Sequence, residues 1–361
     1  MLLLEVLRFG HRDWYSGEIC KEDRPSDNNN SAAKQPSVSF VDDYFKAPLL
    51  HRVAWGCSMK LIVIHILGIY SLVFLGHVSW STLAFQFVYL VLSGLSVTAG
   101  AHRLWTHRSY KARTPFRTFL MLCNTIAAQN DIYEWCRDHR VHHKFSDTNA
   151  DPHNIDRGLF FSHIGWLMIK KHPDVYKYGS RIDCSDLIGD PVVRFNMRYY
   201  GWLVLLFSFG LPTLLPHFLF GDAVLPLFML CFLRLTLSFN FTWSVNSFAH
   251  HVGDRPFDRN MKPSEVLWVS VVAAGEGWHN YHHTFPHDYN CSELGWHINW
   301  TTMLIDLMAS IGQVTERRTI SKAAIMRQKL RNGDGTRLPR RIREMSEKER
   351  LQLADTIQNA A

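Results

Sequence analysis

Four long apolar stretches set the plan of this chain, with a very short polar interval inside each pair and a very long one between the pairs. The first runs from Val53 to Phe74 and carries Lys60 near one end, where a lysine stem can lie along hydrocarbon while its ammonium reaches the headgroups. The second runs from about Ser81 to Ala99, the third from Tyr200 to Phe220 with Pro212 and Pro216 inside it, and the fourth from Ala223 to Val245. A helix rising 1.5 Å per residue needs about 20 residues to cross roughly 30 Å of hydrocarbon, and each stretch reaches that length. The links GHVSW and Gly221-Asp222 allow only a reversal, so the pattern predicts two transmembrane hairpins. Arg234 falls mid-stretch in the fourth span, where facing lipid would cost about 3 kcal/mol; it is expected to face the bundle. Three shorter apolar runs, at 118–128, 158–169 and 300–312, are too short to span and read as interfacial or core helices. Residues 1–45 are polar, include SDNNNSAAKQPS and read as a flexible lead-in. Residues 46–325 read as the membrane domain and 326–361 as a charged cytosolic tail. The expected fold class is an all-α membrane protein: two hairpins with a cytosolic helical domain.

Charge orients this plan. Of 39 Lys and Arg, seven precede the first span, 15 lie between Ala101 and Tyr199, 15 follow Val245, and the two links hold none. The positive-inside tendency then puts both termini and the long middle segment in the cytosol. The net charge of +7 suits anionic headgroups or an acidic partner, with no nucleic acid expected. The seven cysteines (20, 57, 123, 136, 184, 231, 291) form no C-x-x-C pair, which excludes a cysteine-based zinc site or iron–sulfur cluster and points to reduced thiols. The first apolar run, MLLLEVL, is too short for a secretory signal.

Histidine spacing carries the chemistry. HRVHH (139–143) and HNYHH (279–283) repeat one pattern, and positions i, i+3 and i+4 lie on one helix face. His139, His142 and His143 can therefore converge on a point, as can His279, His282 and His283. His102 and His107 in HRLWTH stand five apart, share no α-helical face, and need a local bend to join them. One such triplet is compatible with a solvated histidine face; eight histidines in three clusters, of 20 in the chain, favour one composite metal site. The residues by themselves indicate a multi-histidine metal site at a membrane surface.

The strings GAHRLWTH, NDIYEWCRDHRVHHKFSDTNADPHN and GEGWHNYHHTFPHDY resemble the three histidine boxes of the membrane acyl-CoA desaturases, the stearoyl-CoA (Δ9) family of the endoplasmic reticulum, over roughly residues 45–325. The resemblance implies insertion of a cis double bond into a saturated acyl-CoA with O2, two iron ions, and electrons from cytochrome b5 and its NADH-dependent reductase. It implies an endoplasmic reticulum membrane protein with both termini cytosolic. The implied ligands are His102, His107, His139, His142, His143, His279, His282 and His283, with His250 as the ninth and Asn246 acting through water. Arg137, Asp138, Lys170 and Lys171 would hold the CoA head, and Gln129, Asn130 and Trp135 would lie near the thioester. Thr242 and Trp243 would shape the bend of an acyl tunnel, and Leu90 and Gly94 would close its blind end. Where family members commonly place tyrosine and alanine, these two are smaller, so the expected preference is for 18-carbon or longer chains. Trp55-Gly56-Cys57 departs from the family's usual Trp-Arg-Asn near the first span. Glu134, Asp138, Asp151 and Glu276 are candidates to orient the ligands, whereas His65, His153, His163, His217, His287 and His297 read as structural or solvent-exposed. Other readings are a fatty-acid or sterol hydroxylase of the same type, whose first box is usually His-x3-His, and a membrane zinc-binding or transport protein, whose ligands should lie near mid-bilayer.

Overall fold

A computed structural model describes residues 44 and 46–359. The expected lead-in, 1–45, lies almost wholly outside them. Helix α1 spans Trp55–His77 and α2 spans Trp80–Thr106, so the first link shrinks to Val78 and Ser79. After a two-residue strand β1 (Lys111–Ala112) come α3 (Thr114–Ala127) and α4 (Ile132–Phe145). The second hairpin is α5 (Pro191–Phe220) and α6 (Val224–His250). Beyond it lie α7 (Leu267–Val272), α8 (His279–Thr284), α9 (Trp300–Ser310), β2 (Val314–Thr315), α10 (Lys322–Asn332) and α11 (Glu347–Asn359). Strands β1 and β2 pair antiparallel over two residues each. The boundary expected at 325/326 falls inside α10, which packs through Leu330 against Ala354 of α11.

Helices α1, α2, α5 and α6 are long and apolar enough to cross a membrane, which makes this a multi-pass membrane protein. All four outrun their apolar stretches: α1 continues from 74 to 77, α2 from 99 to 106 and α6 from 245 to 250, while α5 begins at 191 rather than 200. Backbone hydrogen bonding does not stop where hydropathy falls, and the extensions of α2 and α6 carry site residues. Helices α1 and α6 pack closely at Gly68, where a Cβ would stand 2.2 Å from Thr236 Oγ1. In α5, Pro216 has no N–H to give the Pro212 carbonyl; the Gln86 amide of α2 donates to it instead, at 2.9 Å. The two links are joined, because Asp222 accepts from the Ser79 backbone N–H (3.1 Å) and from the hydroxyls of Ser79 (2.7 Å) and Thr82 (2.5 Å). Arg234 faces the bundle as expected: buried, it donates to the carbonyls of Ile126 (2.8 Å) at the end of α3 and Ser208 (2.5 Å) in α5.

Candidate metal centre and cavity

The ends of α2 and α6 remote from the links meet α4 and α8, and all nine histidines gather there. The last ten residues of α2, Val97–Thr106, wind as a π-helix, and the His107 N–H closes on the His102 carbonyl at 3.1 Å. A π-turn bonds residue i to i+5, so two histidines five apart, which share no α-helical face, come onto one side of the chain. Helix α4 starts at Asp131, whose carboxylate accepts from the Glu134 N–H (3.0 Å), an N-cap that sets where its histidines point. Helix α8 is placed by GEGW: Gly275 takes φ +112°, and at Gly277 a Cβ would lie 2.3 Å from the Ser270 nitrogen. Neither position admits a side chain.

The histidines form two groups, His102, His107, His139, His143 and His282, and His142, His250, His279 and His283, each with ligand atoms within 4.8 Å of one another. Neither triplet converges on one point. His139 and His143 go to the first group and His142 to the second; His279 and His283 go to the second and His282 to the first. At 3.6 residues per turn, i+4 lies about 40° to one side of i and i+3 about 60° to the other. Two facing helices with the same pattern thus share two centres reciprocally.

Eight of the nine Nε2 atoms face another Nε2. In the first group His282 lies 3.0 Å from His102 and 2.9 Å from His143, and His143 lies 3.2 Å from His139. In the second, His279 lies 3.0 Å from His250 and 3.1 Å from His283, which lies 3.3 Å from His142. Opposite Nδ1 atoms meet carboxylates: His102 with Glu276 (3.0 Å), His142 with Asp151 (2.9 Å) and His250 with Asp147 (3.2 Å). With the proton held on Nδ1, the Nε2 lone pairs point inward. Lone pairs about 3 Å apart repel one another unless a cation lies between them, and metal–nitrogen bonds of about 2.1 Å space adjacent ligands in this way. The buried His107 Nε2 has no hydrogen-bond partner, as a ligand atom would not. Burial, then the neighbouring imidazoles, hold His107, His139, His142, His143, His279, His282 and His283 well below the usual histidine range, neutral and able to ligate. Burial alone would raise Glu276, but Arg103 and His102 outweigh it and hold the carboxylate at about 2.

Two of the four carboxylates expected around the ligands, Asp151 and Glu276, meet a histidine. Asp138 instead pairs with Lys171 and with Arg137 (3.4 Å), while Glu134 is buried beside Asp131. Sequence reasoning missed Asp147 and Arg103. Arg103 is fully buried and donates to Glu276 (2.8 Å), Thr302 (2.9 Å) and Asn299 (3.1 Å), tying the first histidine segment to α9. Its signal was an arginine embedded in an otherwise uncharged histidine string.

A cavity of about 620 Å³ abuts both groups, reaching His102, His139 and His279. Leu90, Gly94, Gln129, Asn130, Trp135, Asp138, Thr242, Trp243 and Asn246 line it. Arg137 and Lys171 stand behind Asp138, Lys170 is exposed, and Gly56 and Cys57 form the first turn of α1. The Gln129 amide donates to the Thr242 hydroxyl at 2.9 Å.

Fold and site together define a multi-pass helical membrane protein with paired histidine groups at the wall of an apolar cavity. The fatty acid desaturase family model matches residues 78–300. The chain is 50% identical over 297 residues to the stearoyl-CoA desaturase of Sus scrofa, covering 82% of each chain. It is 49% identical over 298 residues to that of Homo sapiens (82% of this chain, 83% of the relative) and 48% identical over 299 residues to stearoyl-CoA desaturase 2 of Mus musculus (82% and 83%). The chain belongs to the fatty acid desaturase family.

Proposed function

We propose that the protein is an acyl-CoA desaturase of Δ9 type, inserting a cis double bond into a saturated acyl-CoA at a di-iron centre. The observation that carries this reading is the junction of both histidine groups with one apolar cavity. His102, His107, His139, His143 and His282 would hold one iron, and His142, His250, His279 and His283 the other, with Asn246 reaching it through water. When bound, the iron pair supplies the oxidising strength, drawn from O2, that an unactivated methylene requires and no side chain provides.

The chain's own residues bind and orient. Lys171 and Arg137 neutralise Asp138 at the polar end, where the CoA head would lie with Lys170 at its rim. Gln129, Asn130 and Trp135 receive the thioester end, and the Gln129–Thr242 bond closes the wall beside Trp243. The acyl chain occupies the apolar interior toward Leu90 and Gly94, from which its own bulk expels water. Asp151, Asp147 and Glu276 hold protons on Nδ1 of His142, His250 and His102 throughout. Electrons come from cytochrome b5 and its NADH-dependent reductase, for which the basic surface is suited. The distribution of Lys and Arg supports cytosolic termini, and the likeness to stearoyl-CoA desaturases supports the endoplasmic reticulum as the membrane.

Expression in yeast lacking its own desaturase tests the reading: growth without added unsaturated fatty acid and a double bond at carbon 9 are expected. Purified protein should contain iron in both groups, and His250→Ala should lose iron from the four-histidine group while retaining the other. Stoichiometric zinc after growth in ample iron, or hydroxylated product, overturns it.

A further inference from the structure

One set of polar residues at membrane depth is not used by the centre. Asn240 of α6 donates through Nδ2 to His65 Nε2 on α1 (3.1 Å), while His65 Nδ1 meets its own-helix Leu61 carbonyl (2.8 Å), so the His65 proton sits on Nδ1. Asn240 gives its second amide hydrogen to the Thr236 carbonyl (2.8 Å), and its Oδ1 accepts from His163 Nε2 (3.0 Å). His163 is carried by the π-turn Phe161–Gly165. The Ser247 hydroxyl, two turns along α6 from Asn240, lies 2.8 Å from both His163 Nδ1 and the Trp243 carbonyl; with the His163 proton on Nε2, its single hydrogen is donated to Nδ1. An unbroken chain His65–Asn240–His163–Ser247 therefore joins α1, the 161–165 turn and α6.

Everything in this chain stands behind Trp243. The His65 ring lies nearly parallel to the indole (centroids 6.1 Å apart, 20° between planes), and the His163 ring meets it edge-on at 6.0 Å. The indole's front lines the cavity, with Thr242 and Asn246 on the same face of α6. Leucine and phenylalanine would fill this space without burying polar atoms, whose loss of water is costly in hydrocarbon. Hydrogen bonds between membrane helices add little stability on average. They do fix direction and register, which a greasy contact leaves free to slide.

We propose that the His65–Asn240–His163–Ser247 chain is a positioning device for the Trp243 wall, and through it determines which carbons of the bound acyl chain stand beside the histidine groups. This deepens the desaturase reading and rests on it. If the wall shifts, the acyl chain slides by a methylene and the double bond moves with it. A part with only a structural role would change the amount of product and leave the bond position alone.

The test is double-bond location by mass spectrometry of products from 18-carbon acyl-CoA, for wild type, Asn240→Leu, His163→Phe and Ser247→Ala, with iron content measured in each. Wild type should yield one positional isomer. Asn240→Leu and His163→Phe should raise the share of other isomers about fivefold, the factor that one neutral hydrogen bond represents, with iron content unchanged. Ser247→Ala removes one hydroxyl and no bulk; if the larger changes prevent accumulation of protein, it decides, with a smaller shift expected. An unaltered single isomer in every variant that accumulates overturns the proposal, whatever happens to the rate, and so does a mixture from wild type. Absence of any unsaturated product from wild type would instead remove the desaturase reading.

Discussion

At the scale of single residues, two side chains show how geometry decides between readings that the sequence leaves open. Gly94 could serve close packing of helices, as small residues in membrane bundles often do, or could deepen a cavity. A Cβ built at Gly94 meets nothing within 4 Å, whereas one at Gly68 collides with Thr236. Gly68 is the packing glycine, and Gly94 is an opening in the cavity wall. Gly94→Ile should fold and should lower use of 18-carbon against 16-carbon acyl-CoA in competition by roughly tenfold, about 1.4 kcal/mol; equal loss on both chains would contradict a role at the blind end. Glu134 gives the second case. Burial, with Asp131 adding and Lys171 opposing, pushes its carboxyl up to about 7. A folded value above the unfolded 4.5 means that the folded state holds the extra proton. Its contribution to stability is therefore fully present below about pH 4.5 and lost as the pH rises through 7, a change of about 3 kcal/mol. Thermal unfolding in detergent at pH 5 and pH 8 should show wild type losing more stability than Glu134→Gln; parallel losses would mean that Glu134 ionises without cost.

At the scale of elements, the spans and the histidine strings were legible because each follows a local rule: run length for crossing a bilayer, and i, i+3, i+4 for one helix face. The misses have equally local causes. Hydropathy ends α2 at Ala99, but the helix continues as a π-helix through His102, and a period of 3.6 cannot signal a register of five. The triplets read as two separate convergence points because their faces were considered singly; only the opposed packing of α4 and α8 makes each triplet contribute to both centres. Asp147 stands beside His250 through a contact 103 positions distant in sequence, and no spacing rule reaches that far. The segment expected as a charged tail also reaches the residues around α8, through contacts that no spacing rule predicts. Arg337, between α10 and α11, lies over the Trp278 ring at 4.9 Å and bonds Glu265 at 2.9 Å. Glu265 in turn accepts from the Tyr281 N–H inside α8 at 2.9 Å. Removing one partner of a buried ion pair strands the other at a cost of about 3 kcal/mol. Arg337→Ala should thus lower the thermal midpoint and loosen metal held by His279 and His283, while Arg337→Lys recovers part of both. Unchanged unfolding in Arg337→Ala would show that α8 is held without the C-terminal helices.

At the scale of the whole molecule, both histidine groups stand at one end of the bundle. The other end has only two short links, joined by the acceptor Asp222, and no lysine or arginine. That asymmetry predicts orientation, and the chain carries its own control. Asn29-Asn30-Ser31, Asn240-Phe241-Thr242, Asn290-Cys291-Ser292 and Asn299-Trp300-Thr301 each match the acceptor pattern for N-glycosylation. The second lies inside α6 and the other three in segments assigned to the cytosol, all out of reach of the lumenal transferase, so the protein made with microsomes should carry no glycan. An acceptor sequence inserted after Val78 between flexible Gly/Ser spacers should be glycosylated, and epitope tags at both termini should be digested by protease added to sealed vesicles. The insertion disturbs the Ser79–Asp222 contact, so a matching insertion without the acceptor asparagine separates a folding defect from a topological result. A glycan on the wild-type chain, or a terminus protected until detergent is added, would place the histidine groups in the lumen, where cytochrome b5 could not deliver electrons.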